Sequence, residues 1–229
     1  MSDKLDLLRS LRRRAGASGE RVLAYVARHG QTIMNVEGVI KGMSDVALDE
    51  KGQRQAAQLA ARLQRIPNIR EVYTSPMERA WETAAAYMHL VGRSTDNQTL
   101  IQDRRLLTLK AGCFEGTVKN AAREGIKLFL QNPTVPFPNG ESIRQLEDRV
   151  WEFFEHELKE AKAEGGPCLS FTHNSVITSL ANRILGSSEH EVELGEVVGP
   201  GGLIAVYEER GGYGIEVLFE PEIESPSES

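Results

Sequence analysis

Two histidines and two arginines are the residues of this chain best placed to do chemistry. His29 stands between Arg28 and Gly30 directly after the apolar run VLAYVA (22–27), and His173 directly after CLSFT (168–172). Arg79 lies one short loop beyond a third β-rich run, EVYTS (71–75). A neutral imidazole is a competent nucleophile toward phosphorus near pH 7 when its other ring nitrogen donates to a fixed acceptor that locks the tautomer. Guanidinium forks match phosphate geometry and stay charged. Two imidazoles and two guanidiniums without a metal-ligand set therefore suggest an oxyanion with three terminal oxygens, and phosphate is its natural form. The other reading of these residues is structural: Arg28 and Arg79 paired with carboxylates such as Glu82 or Asp45, and the histidines capping strand ends. Four such residues on three strand ends weigh against that coincidence. The remaining histidines have ordinary explanations, His89 and His156 inside helical patterns and His190 in a polar connection.

Positioning these groups at one edge requires strands alternating with helices. The run 22–27 is continuously apolar, as in a strand covered on both faces. Asp49 occupies an N-cap position, and Ala56, Leu59, Ala60, Leu63 and Ile66 recur at helical spacing until Pro67. A strand over 71–75 is followed by an alanine-rich helix over 79–91. Ile143, Leu146, Val150, Phe153 and Leu158 mark a long amphipathic helix that Gly165 and Gly166 end. After the strand at 168–172 comes a helix ending at Gly186, then LIAVYEE and IEVLFE flanking RGGYG as a hairpin. The order predicts a three-layer α/β/α sandwich with a mainly parallel sheet, whose ligands bind at the carboxyl ends of the strands.

The chain has 229 residues with net charge -6, 40% hydrophobic and 26% charged, which fits one globular α/β domain rather than a disordered or fibrous chain. No apolar run approaches the roughly 20 residues that span a bilayer, and the N-terminus lacks an apolar secretion signal, so a soluble, cytoplasmic protein with no membrane partner is expected. Cys113 and Cys168 lack zinc-site spacing and read as reduced thiols. The acidic balance argues against a nucleic-acid partner. Residues 1–21 read as a helical extension, with Leu5, Leu8 and Leu11 on one face of a surface or docking helix over 3–14, and 219–229 as an acidic tail.

Taken together, RHGQTIMN (28–35), GMSDVALDEKGQRQA (42–56), SPMERAWETA (75–84), GES (140–142) and FTHNSVI (171–177) resemble, in order, the motifs of the histidine phosphatase superfamily, the phosphoglycerate-mutase-like fold, over residues 22–218. The resemblance implies that His29 is the phosphorylated nucleophile, that Arg28, Arg79 and His173 complete the phosphate pocket, that Asn35 adds a phosphate contact and that Gln31 shapes the loop. It implies neither metal nor organic cofactor. A protonated His173 would share in neutralising the phosphoryl oxygens. The expected partner is a phosphorylated small molecule or phosphoprotein, with a homo-oligomer possible.

One segment departs from the family pattern. LLTLKAGCFEG (106–116) aligns Leu106, Gly112, Glu115 and Gly116 but puts Thr108 where the family's general acid falls. Loss of general-acid assistance forfeits about 100- to 10,000-fold in rate for a poor leaving group. Three readings follow: a phosphatase for substrates with good leaving groups, a monoesterase using another carboxyl (Glu115, Asp45, Glu37 or Asp103), or a silent phospho-ligand-binding regulator. A mutase is disfavoured because only roughly thirty residues separate Thr108 from GES. That segment, 109–139, reads as a small helical cap. Within it Lys110, Lys119, Arg123 and Lys127 either read substrate charge or form a solvated face, and Phe129 and Phe137 read as packing residues.

Overall fold

A computed structural model describes residues 21–186 and 197–221. The expected helix over 3–14, the tail beyond residue 221 and His190 lie outside the described residues. The core is a six-stranded sheet: β1 (Val22–Arg28), β2 (Val72–Thr74), β3 (Ile101–Gln102), β4 (Cys168–Thr172), β5 (Leu203–Glu209) and β6 (Gly212–Phe219) in spatial order β3-β2-β4-β1-β5-β6. The β3-β2, β2-β4 and β4-β1 pairs are parallel, and β1-β5 and β5-β6 antiparallel. The parallel part therefore holds β1, β2 and β4, whose ends carry the candidate residues.

Helices cover both faces, as expected from strands apolar on both sides. Helix α1 (Ile33–Val36) is a single turn. On one face α2 (Glu50–Leu63) and α3 (Glu78–Leu90) pack Leu59, Leu63, Ala84 and Met88 against Ala27, Val72, Leu169 and Phe171. On the other, α5 (Ile143–Glu164) and α6 (Asn174–Leu185) pack Leu146, Phe153, Phe154 and Ile177 against Leu23, Val26, Cys168 and Ile204. Helix α4 (Lys119–Gln131) lies in the cap segment, where Ala122, Ile126, Phe137 and Ile143 form a separate small core.

Local signals explain most boundaries. The Asp49 carboxylate accepts the Gly52 N–H at 2.7 Å and starts α2. Ser142 and Gln145 form a reciprocal capping box at the start of α5, and α5 stops at Gly165, whose φ is +83°. The hairpin differs from its sequence reading. Glu209 pairs with Gly212, so only Arg210 and Gly211 turn, and β6 begins three residues earlier than expected. Of the glycines that suggested a longer loop, Gly211 makes the turn at φ +86°, and Gly214 serves close contact instead: a Cβ there would lie 2.3 Å from the Tyr207 ring. Among the described residues, no helix is long and apolar enough to cross a membrane.

Candidate active site

The register of the parallel strands assembles the site. Arg28 lies opposite Thr172 across the β1-β4 ladder, and the His29 N–H continues it to the Thr172 carbonyl at 3.0 Å. Thr74 lies opposite Phe171, and the Ser75 N–H reaches the Phe171 carbonyl at 2.9 Å. His29, His173 and Ser75 therefore leave the sheet side by side. The two imidazole centroids are 5.3 Å apart at 59°. Arg28, His29, Arg79 and His173 are between 1% and 3% exposed, yet all four line one cavity.

Each side chain is held by a specific partner. His29 Nδ1 lies 2.6 Å from the Gly30 carbonyl oxygen. Since a carbonyl only accepts, that nitrogen carries the proton, and Nε2 keeps its lone pair. His173 Nε2 meets Ser75 Oγ at 2.8 Å, while its Nδ1 is buried without a partner. Arg28 donates to the Val198 carbonyl at 2.8 Å. Arg79 donates to the carbonyls of Ser44 and Gly42 at 2.9 and 3.4 Å. The carboxylate pairing considered for Arg79 is not made: Asp45 accepts from the Glu78 N–H and Glu82 from the Leu48 N–H. The buried Arg79 guanidinium, held by neutral carbonyls, keeps its charge available to an anion.

Electrostatics make the pocket strongly cationic. Burial brings the Arg79 guanidinium down to about 10, with Asp45 opposing, which leaves it charged at neutral pH. Burial, then His173, Arg79, Lys41 and Arg28, hold His29 well below the ordinary histidine range. Burial, then Arg79, Lys41, Arg149 and Arg28, do the same to His173. In the protein alone, burial and the same cations that would attract a phosphate therefore disfavour a proton on His173; the protonated ring expected from sequence is one that faces a phosphoryl group.

The structure separates the other expected residues. Asn35 and Thr108 line the cavity. Asn35 Oδ1 is engaged by the Thr32 N–H and hydroxyl, leaving the amide N–H groups as its donors. Thr108 Oγ1 is 3.2 Å from Ser175 Oγ. Gln31, expected to shape the loop, and Glu115, considered as an acid, are not among the lining residues. The Gln31 side chain donates to Asp49 at 3.1 Å, which turns it toward α2. Glu115 accepts the Gly112 N–H at 3.3 Å and packs where a Cβ on Gly42 would stand, joining two loops. Nor do the other carboxyls considered as acids reach the cavity: Asp45 binds the Glu78 N–H, Asp103 binds Arg105, and Glu37 is exposed. Among the described residues, no Asp or Glu lines the cavity, and no three His, Cys, Asp or Glu are grouped to hold a metal ion.

Lys41, Asn174 and Ser175 also line the cavity without having been singled out in the sequence. Lys41 directly precedes the GMSD stretch, and Asn174 and Ser175 directly follow His173, so adjacency to a motif was the available signal. Of the four cap cations only Lys119 lines the cavity; Lys127 pairs with Glu124 at the surface. Phe137 both packs, stacked on Phe129 at 4.6 Å, and lines the cavity. The GES segment is structural support. Glu141 binds the Lys110 N–H and the Arg149 guanidinium, and Arg149 also holds the carbonyls of Arg105, Leu107 and Thr108.

Comparison with known proteins places the chain in one family. Residues 24–220 match the family described as the histidine phosphatase superfamily (branch 1). The chain is 34% identical over 164 residues to Phosphoglycerate mutase-like protein 4 of Arabidopsis thaliana, covering 69% of each. It is 30% identical over 173 residues to a 2,3-bisphosphoglycerate-dependent phosphoglycerate mutase of Mesorhizobium japonicum, covering 73% of this chain and 83% of that one. Its fold superposes on a mycobacterial glucosyl-3-phosphoglycerate phosphatase solved with VO3, with a TM-score of 0.73 at 21% identity over 88% of this chain and 100% of the other.

Proposed function

The chain belongs to the histidine phosphatase superfamily (branch 1), and from that membership we propose that it is a metal-independent phosphatase acting through a phosphohistidine on His29, favouring substrates with good leaving groups. The observation that carries this reading is the His29 ring, pinned through Nδ1 on the Gly30 carbonyl while Nε2 keeps its lone pair beside Arg28, Arg79 and His173.

The reaction has two displacements. His29 Nε2 attacks phosphorus as the bond to the leaving group breaks in line, and the electron pair departs with that group. Water then attacks phosphorus as the P–Nε2 bond breaks, returning a neutral imidazole and inorganic phosphate, and the proton it gives up neutralises the departed leaving group through solvent. Arg28 and Arg79 hold the terminal oxygens throughout, and Asn35 adds donors. Fixed charges around a small buried volume make catalysis chiefly positioning and electrostatic preorganisation. His173, neutral in the protein alone, becomes a better proton acceptor when a dianion offsets the surrounding cations.

The absence of any described carboxyl from the lining supports Thr108 as the occupant of the general-acid position, and hence the leaving-group preference. Hydrolysis rather than mutase chemistry is supported by the short cap between Thr108 and GES. The same lack of an acid favours a second reading, a phospho-ligand-binding regulator with little turnover.

A leaving-group series discriminates. Aryl phosphates should turn over about 100-fold or more faster than alkyl phosphates, because the alkoxide must depart with little protonation. Thr108→Glu should raise alkyl hydrolysis by about tenfold or more. A flat dependence on leaving-group pKa would mean that another group supplies the proton, and tight phosphate-dependent binding without turnover would favour the regulator.

A further inference from the structure

The cavity has two unlike halves. Its floor, at the strand ends, is cationic and polar. From residues 109–139 the lining takes Leu109, Ala111, Ile126, Leu130 and Phe137, with Lys119 as the one charged group. Val39 and Ile40 extend the apolar wall from the loop between α1 and α2. Lys119, Ile126 and Leu130 recur at spacings of seven and four, which is one stripe of α4. Lys119 begins that helix, roughly 10 Å along its axis from Ile126.

The wall is rigid. Ile126 and Phe137 are 5% and 2% exposed and belong to the cap's own core. Phe137 stacks on Phe129 and meets Phe114 edge-on at 5.8 Å. Such a surface gains by covering apolar area and offers a hydroxyl-rich body no partners for the water it would lose. The cavity measures about 150 Å³, which suits a phosphoryl group with a ring-sized or short-chain body.

We infer that the substrate carries its phosphoryl group on an apolar body, aryl or short aliphatic, rather than on a polyhydroxylated one such as a sugar or polyol. This rests on the phosphohistidine reading and narrows it from leaving-group basicity to leaving-group surface.

The test compares 2-phenylethyl phosphate with glycerol phosphate, both of which release primary alkoxides, so apolar surface is the main difference. The expected kcat/KM ratio is on the order of 10- to 100-fold in favour of the phenylethyl ester. Ile126→Asn should reduce that ratio to a few-fold. Ile126→Ala makes a milder version of the same change if the asparagine variant does not fold, and a ratio within one protein cancels differences in folded fraction. Incubation of the wild type with phosphoramidate, which has no organic body, separates the two readings. If His29 is phosphorylated but the ratio is one or below, or if it survives both substitutions, the substrate inference is overturned while the chemistry stands. If no donor phosphorylates the protein, the chemistry fails and the inference falls with it.

Discussion

Both site histidines lie well below the ordinary range, and that direction fixes what pH does to them. A lowered folded-state pKa means that the unfolded chain binds more protons below about pH 6.5. Stability contributed by these rings is therefore complete above that pH and is lost on acidification, by up to about 1.4 kcal/mol per pH unit for each. NMR titration of the imidazoles should find His29 and His173 still neutral at pH 6. Added inorganic phosphate should move the His173 midpoint upward, because a dianion offsets Arg28, Arg79 and Lys41. A midpoint near 6.5 without phosphate, or no movement with it, would contradict the cationic floor. The identities of the four central residues were readable from their places after strands. The protonation of the two histidines was not, because burial sets it together with Lys41 for both rings and Arg149 for His173.

Among the elements, the contact between the His29 loop and α2 holds the His29 backbone in place. A Cβ on Gly30 would lie 2.4 Å from the Gly52 carbonyl, and one on Gly52 would lie 2.0 Å from the Gln31 carbonyl. Gly30 is thus required for close approach, its φ not being positive. Gly52→Ala must push backbone against backbone, at about 1–3 kcal/mol of stability. Displacing His29 by even 1 Å can cost about 100-fold. The expected result is a lower Tm with kcat/KM on an aryl phosphate reduced by 10- to 100-fold; wild-type activity would show that the contact does not position His29.

The long helices and buried strands were legible because apolar spacing and caps such as Asp49 act locally. The single turn α1 and two-residue β3 were missed because neither is long enough to show a period. Hydrogen bonds to Asp49 and Gly112 turn Gln31 and Glu115 away from the cavity, which motif adjacency alone could not show.

For the molecule as a whole, the sheet order brings residues 28, 79 and 173 to one edge because β4 lies between β1 and β2. Alternating strands and helices made that edge legible in advance. The division of the cavity between a cationic floor and an apolar cap was not, since Ile126 and Phe137 carry only a packing signal until the chain closes over the sheet. Everything built on this arrangement requires that His29 accept a phosphoryl group. The most direct measurement is phosphopeptide mapping after incubation with phosphoramidate and without added metal. A single label on His29, stable to base, labile to acid and absent from His29→Ala, is predicted. A protein that takes up no label, or takes it up on a residue other than His29, would contradict the account.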